Sequence, residues 1–104
     1  MALTLAVGVD TNDERITQLG RAWCFSETLD WVADQGREDL SFPEVMSVIP
    51  DEYEYEPGRL PRLIGELERL LNTGPPLGHI KDDLEVWKRE AEEAQLRNVS
   101  LWFI

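Results

Sequence analysis

The chain has 104 residues, of which 42% are hydrophobic and 30% charged, and its formal net charge is −11. This length predicts a single domain over residues 1–104, and the hydrophobic fraction is typical of a folded protein rather than a disordered one. The strong negative charge argues against nucleic acid and against an anionic membrane surface as binding partners.

The beginning of the chain predicts one strand and one long helix. Residues 2–9 are apolar and carry no helix cap, which is typical of a strand. Residues 11–14 have the spacing of a capping box, which predicts a short helical turn interrupted at Gly20. Apolar residues then recur at three- and four-residue intervals, and Gly36 follows them, so we predict a helix over 21–35.

Residues 40–56 have the least regular pattern. The Phe-Pro step at 42–43 predicts a short helix with the proline in its first turn. From Glu52 to Glu56, glutamate and tyrosine alternate strictly, which predicts strand periodicity with the glutamates outward and the tyrosines inward. Because Pro50 and Pro57 bracket this stretch, an edge strand and an extended loop both stay open.

The second half of the chain predicts two amphipathic helices and a terminal strand. One helix covers 60–72 and has a continuous stripe of leucine and isoleucine. The next covers 81–97 and would bury Leu84, Trp87, Ala91 and Ala94. Residues 99–104 are apolar and would pair with strand 2–9, with the helices on one face of the sheet. The predicted fold class is α+β, a small sheet packed against three main helices.

Patterns that indicate catalysis or metal binding are sparse. His79 is the only histidine, and Asp82 and Asp83 follow it in the first turn of a predicted helix. The helix dipole explains those acids, so we expect no metal site and no cofactor. Cys24 has no basic partner in sequence and is expected to be a buried, inert thiol. No nucleophile elbow, phosphate loop or dinucleotide fingerprint occurs, so we expect that the protein is not an enzyme.

Nothing in the sequence predicts export or membrane insertion. No secretory signal is visible, and no apolar run approaches the roughly 20 residues of a membrane span. A single cysteine cannot form an internal disulfide, which fits a reducing compartment. We therefore expect a cytoplasmic protein.

The four tryptophans are expected in the core. Trp87 lies on a helical stripe and Trp102 on a strand, so packing explains both. Trp23 and Trp31 fall on the same side of the first helix, and an exposed member of that pair would be a common kind of binding anchor.

The acidity is concentrated in the first half of the chain. Residues 1–56 carry 13 Asp and Glu against three Arg, whereas residues 57–104 carry 8 against 7 Lys and Arg. The densest segment admits two interpretations, a solvated acidic loop or a contact surface to which a basic partner is steered. We predict as partner-binding residues Asp51, Glu52, Tyr53, Glu54, Tyr55 and Glu56.

Several segments resemble small immunity proteins of bacterial polymorphic-toxin systems. The matching pieces are strand 2–9, the aromatic segment 20–26, the Phe-Pro step at 42–43 and the leucine-rich segment 67–71, so the resemblance covers about residues 1–71. It implies a cytoplasmic protein that neutralises a cognate toxin by occluding its active site or by binding beside it. It carries over no functional residue.

The leading hypothesis is therefore an immunity or antitoxin-like inhibitor of a toxin domain with a basic surface. Nucleases are one candidate class, because their substrate-binding surfaces are cationic and carboxylates can occupy the places of phosphates. The alternative is a non-catalytic structural or assembly subunit that docks through the apolar strand 99–104. In that alternative the partner is another protein or a second copy in a homo-oligomer.

Overall fold

The computed structural model of the chain describes residues 2–8, 15–36, 42–49 and 52–104, with the backbone alone at residues 2, 3, 15–24 and 36. Within those ranges the strands are β1 (Ala2–Gly8), β2 (Arg15–Arg21), β3 (Tyr53–Tyr55) and β4 (Ser100–Phe103). The helices are α1 (Ala22–Gly36), α2 (Pro43–Met46), α3 (Leu60–Asn72) and α4 (His79–Arg97), and a 3-10 turn, Pro57–Arg59, precedes α3. The predicted α+β class is confirmed.

The strands form one antiparallel sheet in the order β2-β1-β4-β3. The terminal strand β4 is therefore an inner strand, paired with β1 on one side and β3 on the other. The pairing continues past the strand, because the N–H of Ile104 donates to the carbonyl of Thr4 at 2.9 Å. The predicted pairing between the two ends of the chain is confirmed, and the apolar terminus is accommodated inside the sheet.

Strand alternation divides the sheet into a face that meets the helices and an outer face. Residues on the helix side are directly opposite one another in the register and fully buried; they are Leu5, Val7, Tyr55, Leu101 and Phe103. Residues between them in sequence point the other way. The outer face therefore carries Ala6 and Gly8 from β1, Ser100 and Trp102 from β4, and Glu54 from β3.

The centre of the core is an aromatic cluster that joins helices to sheet. Trp87 of α4 lies 5.1 Å from Phe103 and 5.4 Å from Phe25 of α1, measured between ring centroids. Tyr55 lies 6.1 Å from Phe103. Tilted and edge-to-face pairs of this kind contribute about 0.5–1.5 kcal/mol each beyond the burial of their area. Tyr55 also lies 6.2 Å from Trp87, and this pair joins β3 to α4.

The three main predicted helices are confirmed, each within two residues of its expected bounds. Leu84, Trp87, Ala91 and Ala94 are all fully buried, as their spacing on α4 predicts. That helix ends at Asn98, which has the left-handed conformation typical of a helix C-terminus. The short helix predicted after Phe42 is α2, with Pro43 in its first turn.

Strand β2 was not predicted. The helical turn expected from residues 11–14 to Gly20 is wrong over 15–20, where the chain forms β2, which extends to Arg21. Residues 11–14 themselves lie outside the described residues. The antiparallel partner β1 supplies backbone hydrogen bonds that a local capping pattern cannot offer. Gly20 pairs with Leu3 beside a shift in register, a position typical of glycine in a strand.

Candidate binding surface

The predicted acidic segment forms an edge strand. Strand β3 pairs with β4 alone among the described strands. Of the two predicted alternatives, an edge strand and an extended loop, the edge strand is confirmed. The backbone stays extended through Glu56 (φ −66°, ψ 155°). Glu54 lies on the outer face, and Glu52 and Glu56, two residues to either side, are exposed. These three carboxylates are called the acidic row; at about 3.3 Å per residue it spans about 13 Å.

Trp102 lies beside the acidic row on the outer face of the sheet, whereas the sequence predicted it in the core. It is directly opposite Glu54 on β3 and Ala6 on β1. Its neighbours in sequence, Leu101 and Phe103, fill the core, so alternation directs Trp102 outward. The indole is half-buried, and its Nε1–H donates to the carbonyl of Gly8 at 3.1 Å. This hydrogen bond holds the ring against β1 and leaves part of it in solvent.

The carboxylate of Glu54 has a defined position next to Trp102. Its Oε2 accepts the hydroxyl of Ser100 at 2.6 Å, a bond that joins β3 to β4 across the outer face. Ser100 is itself buried. A short, charge-assisted bond from a rigid strand restricts the rotamers of Glu54. An acid and an indole are thus held side by side on adjacent strands.

The two tyrosines of the segment point to the other side of β3. Tyr55 is fully buried, and its hydroxyl donates to the carbonyl of Glu44 at 2.7 Å. Burial raises the pKa of its phenol well above the usual range. A partner cannot reach this ring in the folded chain, so Tyr55 is removed from the predicted contact residues. Tyr53 is half-buried and meets Tyr55 edge to face at 5.1 Å.

Arg59 binds the tyrosine side of β3 and not the acidic row. Its Nε donates to Glu44 Oε2 at 2.9 Å, and a terminal nitrogen donates to the hydroxyls of Tyr53 at 2.9 Å and Ser47 at 3.0 Å. Desolvation alone would lower the pKa of Arg59, but the hydrogen bonds to Tyr53 and Glu44 raise it on balance. We call these four residues the Arg59 cluster. The cluster joins α2 to β3.

The guanidinium of Arg59 also combines aromatic and carboxylate contacts. It lies 5.3 Å from the ring centroid of Tyr53 and 5.0 Å from that of Tyr55, within the range of cation–π attraction. A further nitrogen donates to the backbone carbonyl of Glu54 at 3.4 Å. That carbonyl belongs to the edge strand, so Arg59 occupies part of the edge that another strand would need.

The acidic row has no countercharge within the described part of the chain. The ion pairs found there join Arg59 to Glu44, Lys88 to Glu68 and Glu92, and Arg89 to Glu90, and the imidazole of His79 contacts Glu27. None of them involves Glu52, Glu54 or Glu56. Asp51, also predicted as a contact residue, lies outside the described residues. The row is therefore a set of negative charges of which two, Glu52 and Glu56, are exposed and one, Glu54, is half-buried and bonded to Ser100.

No family model, curated protein or solved structure matches the chain.

The residues considered for a metal site have separate partners. His79 pairs with Glu27 of α1 at 3.0 Å, whereas Asp83 is 5% exposed and accepts the hydroxyl of Thr28 at 2.8 Å. Burial raises the pKa of Asp83, and the hydrogen bond from Thr28 opposes that shift. Among the described residues no group of three or more His, Cys, Asp or Glu side chains could hold a metal ion.

The remaining sequence expectations concern membranes and thiols. Over the part of the chain that the structure describes, no helix has the length and apolar character needed to cross a membrane. The side chain of Cys24 lies outside the described residues.

The tryptophans differ in their burial. The side chain of Trp23 lies outside the described residues. Trp31 is half-buried and packs against the core, and Trp87 is fully buried within it. Trp102 is the tryptophan that the sheet presents on its outer face.

Proposed function

We propose that this protein is a cytoplasmic, immunity-like inhibitor that binds the basic surface of a cognate toxin domain through the acidic row and Trp102. One observation carries the proposal: three carboxylates without a countercharge among the described residues stand beside an anchored, partly exposed indole. Acidic groups around an aromatic anchor match the anatomy of interfaces that bind cationic partners. The resemblance of residues 1–71 to immunity proteins points to the same class.

The charge distribution supports association with a basic protein. The net charge of −11 is almost all carried by residues 1–56, which end with the acidic row. Such a field raises the rate of encounter with a cationic surface and is screened by salt. A toxin that acts on nucleic acid would present such a surface, which makes nucleases the first class to test.

The assembly-subunit alternative receives less support. It relies on docking through the apolar terminal strand, yet β4 is already paired on both sides. The neighbouring edge strand β3 is only three residues long and has Arg59 at one of its carbonyls. Short, blocked edges are typical of sheets that avoid pairing with other chains.

A capture experiment with matched charge variants tests the proposal. The tagged wild-type protein, an E52K/E56K variant and a D30K/E85K variant are incubated with lysate of the source organism at low salt. Asp30 and Glu85 are exposed on helices that pack on the other side of the sheet. Both variants change the net charge from −11 to −7. Glu54 is left unchanged in the reversal because it bonds to Ser100 within the fold.

We expect a basic protein to be retained by the wild type and by D30K/E85K and to be lost by E52K/E56K. Expressed alone, that protein should arrest growth of a host cell, and co-expression of the wild type should restore growth where E52K/E56K does not. Equal capture by all three proteins would contradict the site. A captured partner that has no toxicity would contradict the function.

A further inference from the structure

We infer that Trp102 and Glu54 together form a seat for a single arginine side chain of the partner protein. This inference rests on the proposed function, because it assigns a recognition chemistry to the same surface. Two side chains carry it, each held by its own hydrogen bond, and not the acidity of the segment as a whole.

The register brings the two groups together. Glu54 and Trp102 are directly opposite in the β3–β4 pair, where Cβ atoms lie about 4.5–5.5 Å apart. Each is fixed by its own hydrogen bond, the indole to Gly8 and the carboxylate to Ser100. A partly exposed indole and a carboxylate are therefore held in place on one surface, so binding a ligand to both costs little side-chain entropy of the protein.

A guanidinium fits this pair better than an ammonium. It is planar, it stacks on an indole face, and the N–H groups at its edge can donate to a neighbouring carboxylate at the same time. An ammonium is a compact, strongly hydrated charge and gains less from the ring. Glu52 and Glu56 flank the seat and favour a cationic segment around the arginine.

The same chain already holds one arginine by this combination. The guanidinium of Arg59 lies over Tyr53 and Tyr55 while its Nε bonds the Glu44 carboxylate at 2.9 Å. That internal arginine is on the opposite side of β3 from the acidic row. The outer face repeats the arrangement of ring and acid, but none of the described ion pairs or cation–π contacts places a cation there.

Two peptides of equal length and charge test the inference, one with arginines and one with lysines at the same positions. Each is titrated at low salt into ¹⁵N-labelled protein, and the Nε1–H resonance of Trp102 is followed. We expect the arginine peptide to bind about threefold to tenfold more tightly and to shift that resonance further. W102L should remove the difference in affinity, W102F should keep part of it, and E54Q should weaken both peptides.

The outcomes separate this inference from the function on which it rests. If both peptides bind the wild type equally and E52K/E56K loses them, the arginine seat is overturned and the acidic surface stands. If E52K/E56K binds both as the wild type does, the acidic row is not the contact surface and both proposals fail. A Trp102 resonance that shifts on dilution without peptide would assign the face to a second copy of this chain and overturn the seat. Thermal unfolding of W102L and W102F verifies that each variant is folded, and the E54Q titration tests the seat without altering the indole.

Discussion

The buried carboxylate of Glu66, on α3, accepts the backbone N–H of Val45, on α2, at 2.9 Å. Its second oxygen accepts the N–H of Glu44 at 3.0 Å. These donors belong to the first turn of α2, whose N-cap residue, Phe42, makes no side-chain cap bond. A helix of four residues cannot stabilise itself. The cap from α3 holds it in place, and with it one side of the Arg59 cluster.

E66A is expected to destabilise the protein by about 1–2 kcal/mol, because it leaves both N–H groups of the first turn of α2 without the acceptors that Glu66 supplies. Urea unfolding at neutral pH measures the change. E68A is the matched control, since Glu68 is exposed on the same helix and should change stability by less than about 0.5 kcal/mol. Equal stability of the two variants would contradict a capping role for Glu66.

Stability is expected to rise as the pH falls from neutral towards the range in which Glu66 and Asp83 take up protons. Burial raises the pKa of both carboxyls above their ordinary values of 4.5 and 3.8. The folded state then binds protons more tightly than the unfolded chain, so the free energy of unfolding increases as the pH passes down through the folded pKa. It stops increasing below the ordinary values.

D83N isolates the contribution of Asp83 from the general relief of negative charge at lower pH. The free energy of unfolding is measured for the wild type, D83N and D82N at several pH values above 4. D82N serves as control because Asp82 is the exposed neighbour in the same turn. We expect the free energy of unfolding to change less with pH in D83N than in D82N. Identical slopes would mean that Asp83 does not titrate differently in the folded state.

R59K is expected to cost about 1–2 kcal/mol, although it keeps the charge. An ammonium cannot reach Glu44, Ser47 and Tyr53 in the planar arrangement that the guanidinium uses. R62K makes the same substitution at an exposed site on α3 and should be nearly neutral. Chemical denaturation compares the two. A loss in R59K no larger than in R62K would show that the Arg59 cluster does not stabilise α2 against β3.

Added salt should raise the melting temperature of the wild type, because it screens the self-repulsion of a chain with a net charge of −11. E52Q/E56Q should leave the free energy of unfolding within about 0.5 kcal/mol of the wild type or raise it slightly. Differential scanning calorimetry at two salt concentrations measures both effects. A loss above about 1 kcal/mol would mean that Glu52 and Glu56 stabilise the fold and are not held for a partner.

Local periodicity was enough to predict the three main helices and the strands at the two ends of the chain. The glutamate–tyrosine alternation also predicted the strand character of β3 and the inward direction of Tyr55. The same alternation argues against Tyr55 as a contact residue, a conclusion that its burial makes plain. Glu52, Glu54 and Glu56 keep the exposure or partial exposure that a binding role needs.

Other features depend on residues far apart in sequence and could not be predicted from either segment alone. The cap of α2 comes from a residue 21 positions away. Asp83 in the first turns of α4 is buried and accepts the hydroxyl of Thr28 on α1. β2 forms where a capping pattern suggested a helix. At β2 the nonlocal hydrogen bonds to β1 outweigh a local preference of a few tenths to one kcal/mol, whereas at α2 the cap adds to one.

The amino-acid sequence by itself determined that the acidity of this protein lies in residues 1–56, that the chain forms three main helices, and that glutamate and tyrosine alternate from Glu52 to Glu56. Only the tertiary structure decided which groups those glutamates meet. The register of β3 against β4 sets Glu54 opposite Trp102. Because side chains alternate along β4, that indole points away from the core. Register follows from the packing of Tyr55, Leu101 and Phe103 under the helices, and a shift of one residue would send every one of these side chains to the opposite face.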